Sequence, residues 1–271
     1  MIAARPIARR LLKLRRFVRP MEQAASVLSR MANLPLVDVT AITGKRPILI
    51  LAPHADDESL GCGGLIAQAC AAGETVYVAI LTDGTRSHPN SQAFPPARLK
   101  ALREREAADA VAVLGLQSDH LSFLGYTDAS APRGGRPLTQ AADRLAEYVR
   151  TRGIATVCAS WKNDPHCDHV AAHRIIAQAS LLTSFRHLSY AVWGWTLPGN
   201  TWLPRSPIEG CRLDITDSLD AKRRAIACHR SQMTGMISDV ADGFQVPQHL
   251  LDICNRPFET FLQNITSGTL F

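Results

Sequence analysis

A histidine and three acids stand together directly after a short apolar run in the first quarter of the chain. The run, residues 48–51, has the pattern of a buried strand, and the cluster is His54, Asp56, Asp57 and Glu58. Charged side chains beside a buried strand are costly unless something pairs with them, and a metal ion is a suitable partner. In open α/β sheets the carboxyl ends of strands are also where ligands bind. The segment therefore predicts a metal site, and with it an enzyme.

A second cluster of the same kind follows another strand pattern much later in the chain. Residues 155–159 predict a buried strand, and His166, Asp168 and His169 come shortly after it. Because both clusters follow strands, they are expected at the same edge of a parallel sheet, where they can converge on one ion.

The histidines and carboxylates of the two clusters suit a catalytic zinc site. Such a site takes three protein ligands, commonly His and carboxylate, and keeps one position open for water. His54 and Asp57 lie where a strand turns into a helix, so both can face one point, and His169 is predicted as the third ligand. Ligands of these types also accept Fe²⁺ or manganese, so the metal stays open at this stage.

The two clusters match a known family pattern. Residues 53–58, Pro-His-Ala-Asp-Asp-Glu, resemble the (P/A)-H-P-D-D-E signature of the PIG-L/LmbE family of zinc-dependent N-acetylglucosaminyl de-N-acetylases. Residues 165–169, Pro-His-Cys-Asp-His, are similar to its second signature, H-P-D-H. Further segments resemble the family in order and spacing: 103–106, 123–128 and 222–232. Ala55 and Cys167 stand where the family usually has proline, but both are spacer positions, so the ligand set is intact.

The resemblance implies a hydrolase that removes an N-acetyl or other N-acyl group from an amino-sugar conjugate through zinc-activated water. It implies the same ligands, His54, Asp57 and His169, and makes Asp56 the base that takes the water's proton. His166 is predicted to steady the oxyanion or to protonate the leaving amine.

Further residues are predicted to support the site. Asp168 is predicted to orient a histidine from behind. Arg103 resembles a substrate-contacting residue of the family, with a solvated helix arginine as the alternative. Asp128 resembles a family residue that contacts a sugar hydroxyl group. His173 lies four residues after His169, and we interpret it as a packing residue rather than a ligand.

Strand patterns and helix patterns alternate along the chain, which predicts a Rossmann-like α/β fold: a doubly wound, mostly parallel sheet with helices on both faces. Strands are predicted at 48–53, 75–82, 121–124, 155–159, 188–195 and 211–215, with helices near 57, at 96–114, 138–152, 169–181 and 218–231. Gly61, Gly63 and Gly64 invite a dinucleotide-binding interpretation, but position 66 is isoleucine where that fingerprint needs glycine. These glycines are predicted to permit close packing of a helix on the sheet.

The basic charge of the chain is concentrated at its start. Residues 1–20 hold seven of the 30 Lys and Arg residues and none of the 24 acids, so the remainder is close to neutral. We predict a basic arm and linker over 1–44 and a single catalytic domain over 45–271. Residues 1–20 fit a helix on an anionic membrane surface, with a solvated terminal helix or a disordered arm as the alternative. They contain neither a membrane span nor a signal peptide core.

Other features bound the class of protein. The seven cysteines are odd in number and scattered, which favours free thiols in a reducing cytosol, so we expect a cytoplasmic protein, in contact with the inner membrane surface if residues 1–20 bind it. No nucleic-acid-binding motif accompanies the charge, so no nucleic-acid partner is expected. Two alternatives remain open: a zinc amidohydrolase acting on a non-sugar amide, and a non-catalytic membrane- or partner-binding protein on the same fold.

Overall fold

The computed structural model describes residues 20–264, and the predictions made for residues 1–19 lie outside this range. The strands are β1 (Met21–Gln23), β2 (Leu36–Val37), β3 (Ile48–Ala52), β4 (Val76–Thr82), β5 (Leu121–Tyr126), β6 (Thr156–Ser160), β7 (Arg186–Tyr190), β8 (Trp202–Pro204), β9 (Gly210–Asp214) and β10 (Phe258–Gln263). The helices are α1 (Ala24–Ala32), α2 (Val39–Thr43), α3 (Asp57–Ala71), α4 (Pro96–Val113), α5 (Gly135–Arg152), α6 (Cys167–Ala179), α7 (Leu219–Cys228), α8 (Arg230–Met233) and α9 (Gln248–Cys254). No helix in this range is long and apolar enough to cross a membrane.

Eight of the strands form one sheet in the order β2-β9-β10-β7-β6-β3-β4-β5, and β1 pairs with β8 in a separate ribbon. The pairings within the large sheet are parallel except for those of β10 with β7 and β9. Side chains of β3 alternate between two cores: Ile48 and Ile50 pack on one face, Leu49 and Leu51 on the other. The predicted Rossmann-like class, a mostly parallel sheet covered on both faces, is confirmed.

The centre of the sheet fixes where a site can form. The chain proceeds from β3 outward to β4 and β5 on one side, and from β6 outward to β7 on the other. Since β3 and β6 are paired in parallel, with Leu51 opposite Ala159, the segments that follow them leave the same edge side by side. This is the topological switch point, where open α/β sheets bind ligands.

Two glycines of α3 allow the helix to lie close to its neighbours. A Cβ atom on Gly61 would collide with the Tyr190 ring, and one on Gly64 with the Ile215 side chain. The prediction that these glycines permit close helix–sheet packing is therefore confirmed.

The structure differs from the predicted elements in several places. Strand β8 and helix α9 were not predicted, and the helix predicted over 218–231 is divided into α7 and α8. Residues 21–43 were predicted as part of an arm and linker, but β2 pairs with β9 at the edge of the sheet, and α1 buries Val27 and Met31 against the domain. The strand predicted over 188–195 ends at Tyr190, because the chain turns there into a 3-10 helix (Trp193–Thr196). The last strand, β10, was not predicted.

A buried ion pair joins α7, α3 and β10. Lys222 Nζ donates to Glu259 Oε1 at 2.7 Å, and the other groups that Glu259 binds are the Gly64 and Leu65 backbone amides. Both side chains are almost fully buried. We expect Lys222→Met to lower the free energy of unfolding by about 3–5 kcal/mol, because it leaves an unpaired buried carboxylate.

Urea unfolding followed by circular dichroism measures this loss. Lys100→Met is the control, since Lys100 pairs with Glu104 at the surface, 3.5 Å apart, and such pairs contribute under about 1 kcal/mol. Equal losses in the two variants would contradict the structural role of the Lys222–Glu259 pair.

Candidate active site

Three side chains converge where β3 and β6 end. His54 follows β3, Asp57 begins α3, and His169 lies in the first turn of α6. Asp57 Oδ2 is 3.1 Å from His54 Nδ1 and 3.1 Å from His169 Nε2. All three residues are buried, so the predicted ligand set is brought together at one point.

The arrangement of these three atoms fits a divalent cation. His169 Nε2 lies within ion-pair distance of Asp57 Oδ2, yet it has no hydrogen-bond partner among the described residues. Ligands about 2.0–2.1 Å from a tetrahedral zinc stand about 3.3 Å apart, close to the 3.1 Å that separates Asp57 Oδ2 from His54 Nδ1 and from His169 Nε2. The imidazoles of His54, His166 and His169 also offer nitrogens within 4.8 Å of one another.

Each of the two converging histidines meets another carboxylate with its second nitrogen. His54 Nε2 is 3.2 Å from Asp168 Oδ2, and His169 Nδ1 is 3.2 Å from Asp164 Oδ1. Asp168 is itself fixed, because its two oxygens accept the backbone N–H groups of Ala129 and Ala131. This carboxylate–histidine pattern is the usual way in which proteins orient metal-binding imidazoles.

The electrostatics of the cluster favour a positive charge at its centre. Burial lowers the pKa of His169, but the Asp57 and Asp164 carboxylates outweigh it and raise that pKa to about 10. The pKa of His54 is likewise raised, against the effect of burial, by Asp128, Asp168 and Asp57. The same carboxylates that favour protons on these imidazoles would favour a metal cation between them.

Asp56 lies beside the cluster in a backbone conformation that few side chains adopt. Its φ is 147°, and strain of this kind persists where the surroundings impose it. Glu58 Oε2 accepts the Asp56 backbone N–H at 2.9 Å, and Arg103 donates to Ala55 O at 2.8 Å and lies 3.3 Å from Asp56 Oδ2. Glu58 in turn lies 2.8 Å from His229 Nε2. The acidic turn is thus fixed by an arginine and a buried carboxylate–histidine pair.

The carboxyl group of Asp56 has a pKa suited to proton transfer. Burial raises it, Arg103 opposes that effect, and Asp57 adds to it, with the result that the pKa of Asp56 is raised to about 6. A general base works best when its pKa lies near the working pH.

His166 stands at the start of α6 with a defined tautomer. Its Nδ1 accepts the backbone N–H of Asp168 at 3.2 Å, so a neutral ring has its proton on Nε2. Burial and the neighbouring His54 and His169 lower the pKa of His166, which favours that neutral form. His166 can therefore donate a hydrogen bond from Nε2.

A cleft of about 240 Å³ opens above the cluster. Leu60, Trp193, Phe244 and Val246 form what we call its apolar wall, in which the Trp193 and Phe244 rings meet edge to face with centroids 5.8 Å apart. Polar groups line the rest of the cleft: His54, Asp56, Asp57, Arg86, Ser87, Arg103, Asp128, His166 and Gln232. The cleft thus combines an apolar surface with hydrogen-bonding groups beside His54, Asp57 and His169.

The two residues predicted to contact substrate both line the cleft. Arg103 is buried, so it is not the solvated helix arginine of the alternative interpretation, and it donates to Gly84 O as well as to Ala55 O. Asp128 Oδ2 accepts the Arg86 backbone N–H, and its Oδ1 is 3.4 Å from His54 Nε2.

Neither His173 nor Cys167 contributes one of the three converging atoms, although the Cys167 sulfur lies within 4.8 Å of ligand atoms of His166 and Asp168. The His173 ring packs on His187, with centroids 5.3 Å apart, which agrees with its interpretation as a packing residue. Cys167 lies beside Asp168, but burial raises the pKa of its thiol, so it is a poor source of the thiolate that metals bind.

Sequence reasoning missed several residues of the site. Asp164 lies five positions before His169 inside the second motif, where its charge was a usable signal. His229 was noted only as part of a family segment, and nothing in the sequence pairs it with Glu58. Phe244 lies in a segment far from both motifs, and only the fold brings it to the cleft.

The fold and the cluster define a Rossmann-like α/β protein with a histidine–carboxylate site suited to a divalent metal ion. Residues 49–180 match the PIG-L family model, described as GlcNAc-PI de-N-acetylase. This match covers the segment that holds both motifs, and the chain therefore resembles this family there, as its motifs indicated.

A sequence relative and two solved structures show what the chain is similar to beyond the family model. A 1D-myo-inositol 2-acetamido-2-deoxy-alpha-D-glucopyranoside deacetylase from Rhodococcus opacus (strain B4) is 24% identical, over 76% of this chain and 91% of the relative. The N,N'-diacetylchitobiose deacetylase from Pyrococcus horikoshii superposes with a TM-score of 0.60 at 20% identity, over 99% of both chains. The 4-carboxy-2-hydroxymuconate hydratase from Pseudomonas putida KT2440 also shares the fold, with a TM-score of 0.59 at 19% identity, over 83% of this chain and 99% of the other. The fold by itself therefore does not fix the reaction.

Asp164 connects the metal cluster to the apolar wall. Its Oδ2 accepts the backbone N–H groups of Val192 and Gly194, which flank Trp193, while its Oδ1 faces His169. We expect Asp164→Asn to weaken metal binding by about 10–100-fold, the usual cost of losing a carboxylate behind a metal-binding histidine. It should also change the tryptophan emission spectrum, because Trp193 is held by the same side chain.

Metal titration by calorimetry, together with tryptophan fluorescence, measures both effects. Asp239→Asn is a matched control, because Asp239 also accepts two backbone N–H groups, those of Gln92 and Ala93, but contacts none of the converging residues. The role of Asp164 would be refuted by equal metal affinities in the two variants.

Proposed function

We propose that the protein is a zinc-dependent deacetylase that removes the N-acetyl group of an amino-sugar conjugate by hydrolysis. The observation that supports this most is the pair of histidine nitrogens that each lie 3.1 Å from one carboxylate oxygen, with the Asp56 carboxylate beside them in the cleft. A purely structural metal site has no need of a buried carboxylate with a pKa near 6 at its open side.

His54, Asp57 and His169 would hold the ion, and their two imidazoles and one carboxylate suit zinc. When bound, zinc supplies a Lewis acid that polarises the amide carbonyl and makes water acidic enough to lose a proton near neutral pH. The histidines must be neutral to bind the ion, so each would direct its remaining N–H at Asp168 or Asp164.

Asp56 would accept the proton of the attacking water. Its carboxylate lines the cleft, and Arg103 and Glu58 hold its turn in place. As the tetrahedral intermediate collapses, the same proton can pass from the protonated Asp56 to the amine nitrogen while the C–N bond breaks, because a carboxyl with a pKa near 6 both gains and loses a proton readily.

His166 would stabilise the negative charge that develops on the carbonyl oxygen. Its tautomer presents Nε2–H as a donor, and a donor already oriented before the reaction stabilises the transition state more than the ground state. Of its two predicted roles, steadying the oxyanion is favoured over protonating the amine, because its lowered pKa disfavours the cation.

The shape of the cleft supports an amino sugar as substrate. A pyranose ring has an apolar C–H face and a rim of hydroxyl groups. The apolar wall would receive the C–H face, and Asp128 would accept a hydrogen bond from one of the hydroxyl groups. Arg103 would act on the substrate through Asp56, which its Nη2 faces at 3.3 Å, while its Nε has no hydrogen-bond partner among the described residues.

The test is amine release from N-acetylated substrates by the purified, zinc-loaded chain. We expect primary amine and acetate to appear from N-acetylglucosamine conjugates of varied aglycone. With N-acetyl amino acids we expect kcat/KM to be lower by about 100-fold or more, because they offer neither the ring face nor the hydroxyl rim.

Two controls make the outcome clear. Apo-protein prepared with a chelator should be inactive, and activity should return with zinc. Faster cleavage of N-acetyl amino acids than of any sugar conjugate would show that the substrate class is wrong, and water addition to an unsaturated acid without amide cleavage would show that the reaction is wrong.

A further inference from the structure

The β1–β8 ribbon has one face turned to solvent. Met21 lies opposite Pro204 and Gln23 opposite Trp202, so these four side chains share a face, and all four are exposed. We call them the docking face. The exposed fraction of Met21 is 48% and that of Trp202 is 60%.

The ribbon is a fixed part of the domain rather than a loose hairpin. Leu203, on its inner face, packs in a core with Trp161 and Val27. The Arg205 backbone N–H donates to Pro20 O, and that of Ala24 to Thr201 O, so both ends of the pairing are hydrogen-bonded. A rigid support that presents tryptophan and methionine to solvent is unusual for a surface without a partner.

The charge of residues 1–19, which precede the ribbon in the sequence, narrows the choice of partner. Residues 1–19 join the docking face directly at its Met21 end, and they contain seven basic residues and no acid. The rest of the chain is close to neutral, so it offers no excess of negative charge to neutralise them. An anionic bilayer has such an excess of negative charge, and it attracts each nearby Lys or Arg by about 1 kcal/mol.

The two chemistries next to each other are those that a lipid surface binds. Tryptophan is preferred where hydrocarbon meets water, because its ring is apolar and its N–H finds a polar partner among the headgroups. Basic residues beside it bind the lipid phosphates. One weak signal rarely anchors a protein, whereas two together do.

The docking face lies at the same edge of the sheet as the cleft. β8 follows the turn that contains Trp193 of the apolar wall. Ser206, two residues after β8, accepts a hydrogen bond from Lys162 Nζ at 3.1 Å, and Lys162 belongs to the segment between β6 and α6 that leads to His166.

We propose that Met21, Gln23, Trp202 and Pro204, together with the basic charge of residues 1–19, dock the protein on an anionic lipid bilayer. This holds whether or not the site is a deacetylase. Two other occupants are outcomes of the test: residues 1–19 folded over the face, and a protein partner.

The experiment is vesicle flotation of the full-length protein. We expect it to float with phosphatidylcholine vesicles that contain phosphatidylglycerol and to stay behind with phosphatidylcholine alone or at high salt, because screening weakens the attraction. Trp202→Ser should weaken binding by about tenfold, since the large exposed ring loses its contact with lipid. Leu181→Ser is the control: Leu181 is 78% exposed and lies after α6, away from the ribbon, so binding should not change.

A second measurement locates Trp202 directly. Nitroxide-labelled lipids should quench part of the tryptophan emission of the bound protein, and that part should be missing in Trp202→Phe, which keeps an aromatic ring and should still bind. No flotation with anionic vesicles would overturn the proposal and leave residues 1–19 or a protein partner as the occupant of the face. Flotation that is unaffected by Trp202→Ser, with no quenching of Trp202, would overturn it as well, and would mean that residues 1–19 bind lipid alone or cover the face.

Discussion

Asp56→Asn should leave the fold and the bound metal unchanged and lower kcat by about 10²–10⁴-fold, the usual contribution of a positioned general base. Asparagine has almost the same shape, and its oxygen can still face Arg103, but it cannot take a proton. The measurements are kcat on an N-acetyl amino-sugar substrate, metal content per chain, and thermal unfolding of the same samples.

The direction in which kcat/KM changes with pH distinguishes a general base from a merely structural carboxylate. The base must be ionised, so kcat/KM should rise with pH as Asp56 loses its proton. Burial raises the pKa of Asp56 to about 6, and a cation bound at Asp57 acts in the opposite direction, so the limb should lie at or below about pH 6. Since Arg103 lowers the pKa of Asp56, Arg103→Gln should move the limb to higher pH.

A matched control separates the loss of a base from the loss of any charge. Asp220→Asn removes a carboxylate whose side chain is 85% exposed on α7, and it should leave kcat and the pH profile as they are. Undiminished turnover in Asp56→Asn would remove Asp56 from the role of base. If the rise of kcat/KM with pH were unchanged in Arg103→Gln, a group other than Asp56 would be responsible for it.

The predictable part of the fold is the part in which each strand is buried on both faces. β3 and β6 are continuous apolar runs followed by a turn and a helix, so sequence alone predicted both strands and the cluster that follows each one. β10 was missed because Glu259 and Thr260 interrupt its apolar pattern. That glutamate is buried only because Lys222 and two amides of α3 surround it, which sequence does not display.

The site was predictable where a residue's role depends on neighbours in the chain. His54, Asp56 and Asp57 share one turn, and His166, Asp168 and His169 share another, so spacing alone suggested a joint function. The role of Asp164 depends on two contacts. One is with His169, and the other is with the backbone N–H groups of Val192 and Gly194, which follow β7. Interactions of this kind are set by packing between elements, and a single sequence contains no record of them.

Removing one of the converging ligands should have the largest effect on metal binding. We expect His169→Ala and Asp57→Ala to weaken the metal by well over the roughly 100-fold that loss of an orienting residue costs, because each deletes a donor atom. The wild-type chain should bind about one zinc per chain, and both variants should lose it on dialysis, with loss of activity. Elemental analysis after dialysis and competitive titration with a chromogenic chelator measure stoichiometry and affinity.

His173→Gln is the control that tests the geometry rather than the residue type. His173 lies one helical turn after His169, but its ring packs on His187, where burial lowers its pKa to about 4 and so favours the neutral ring. The His173→Gln variant should keep its metal and most of its activity. If His173→Gln lost the ion while Asp57→Ala kept it, the ligands would be an i, i+4 histidine pair on α6, and the convergence of β3 and β6 on a single cation would be wrong.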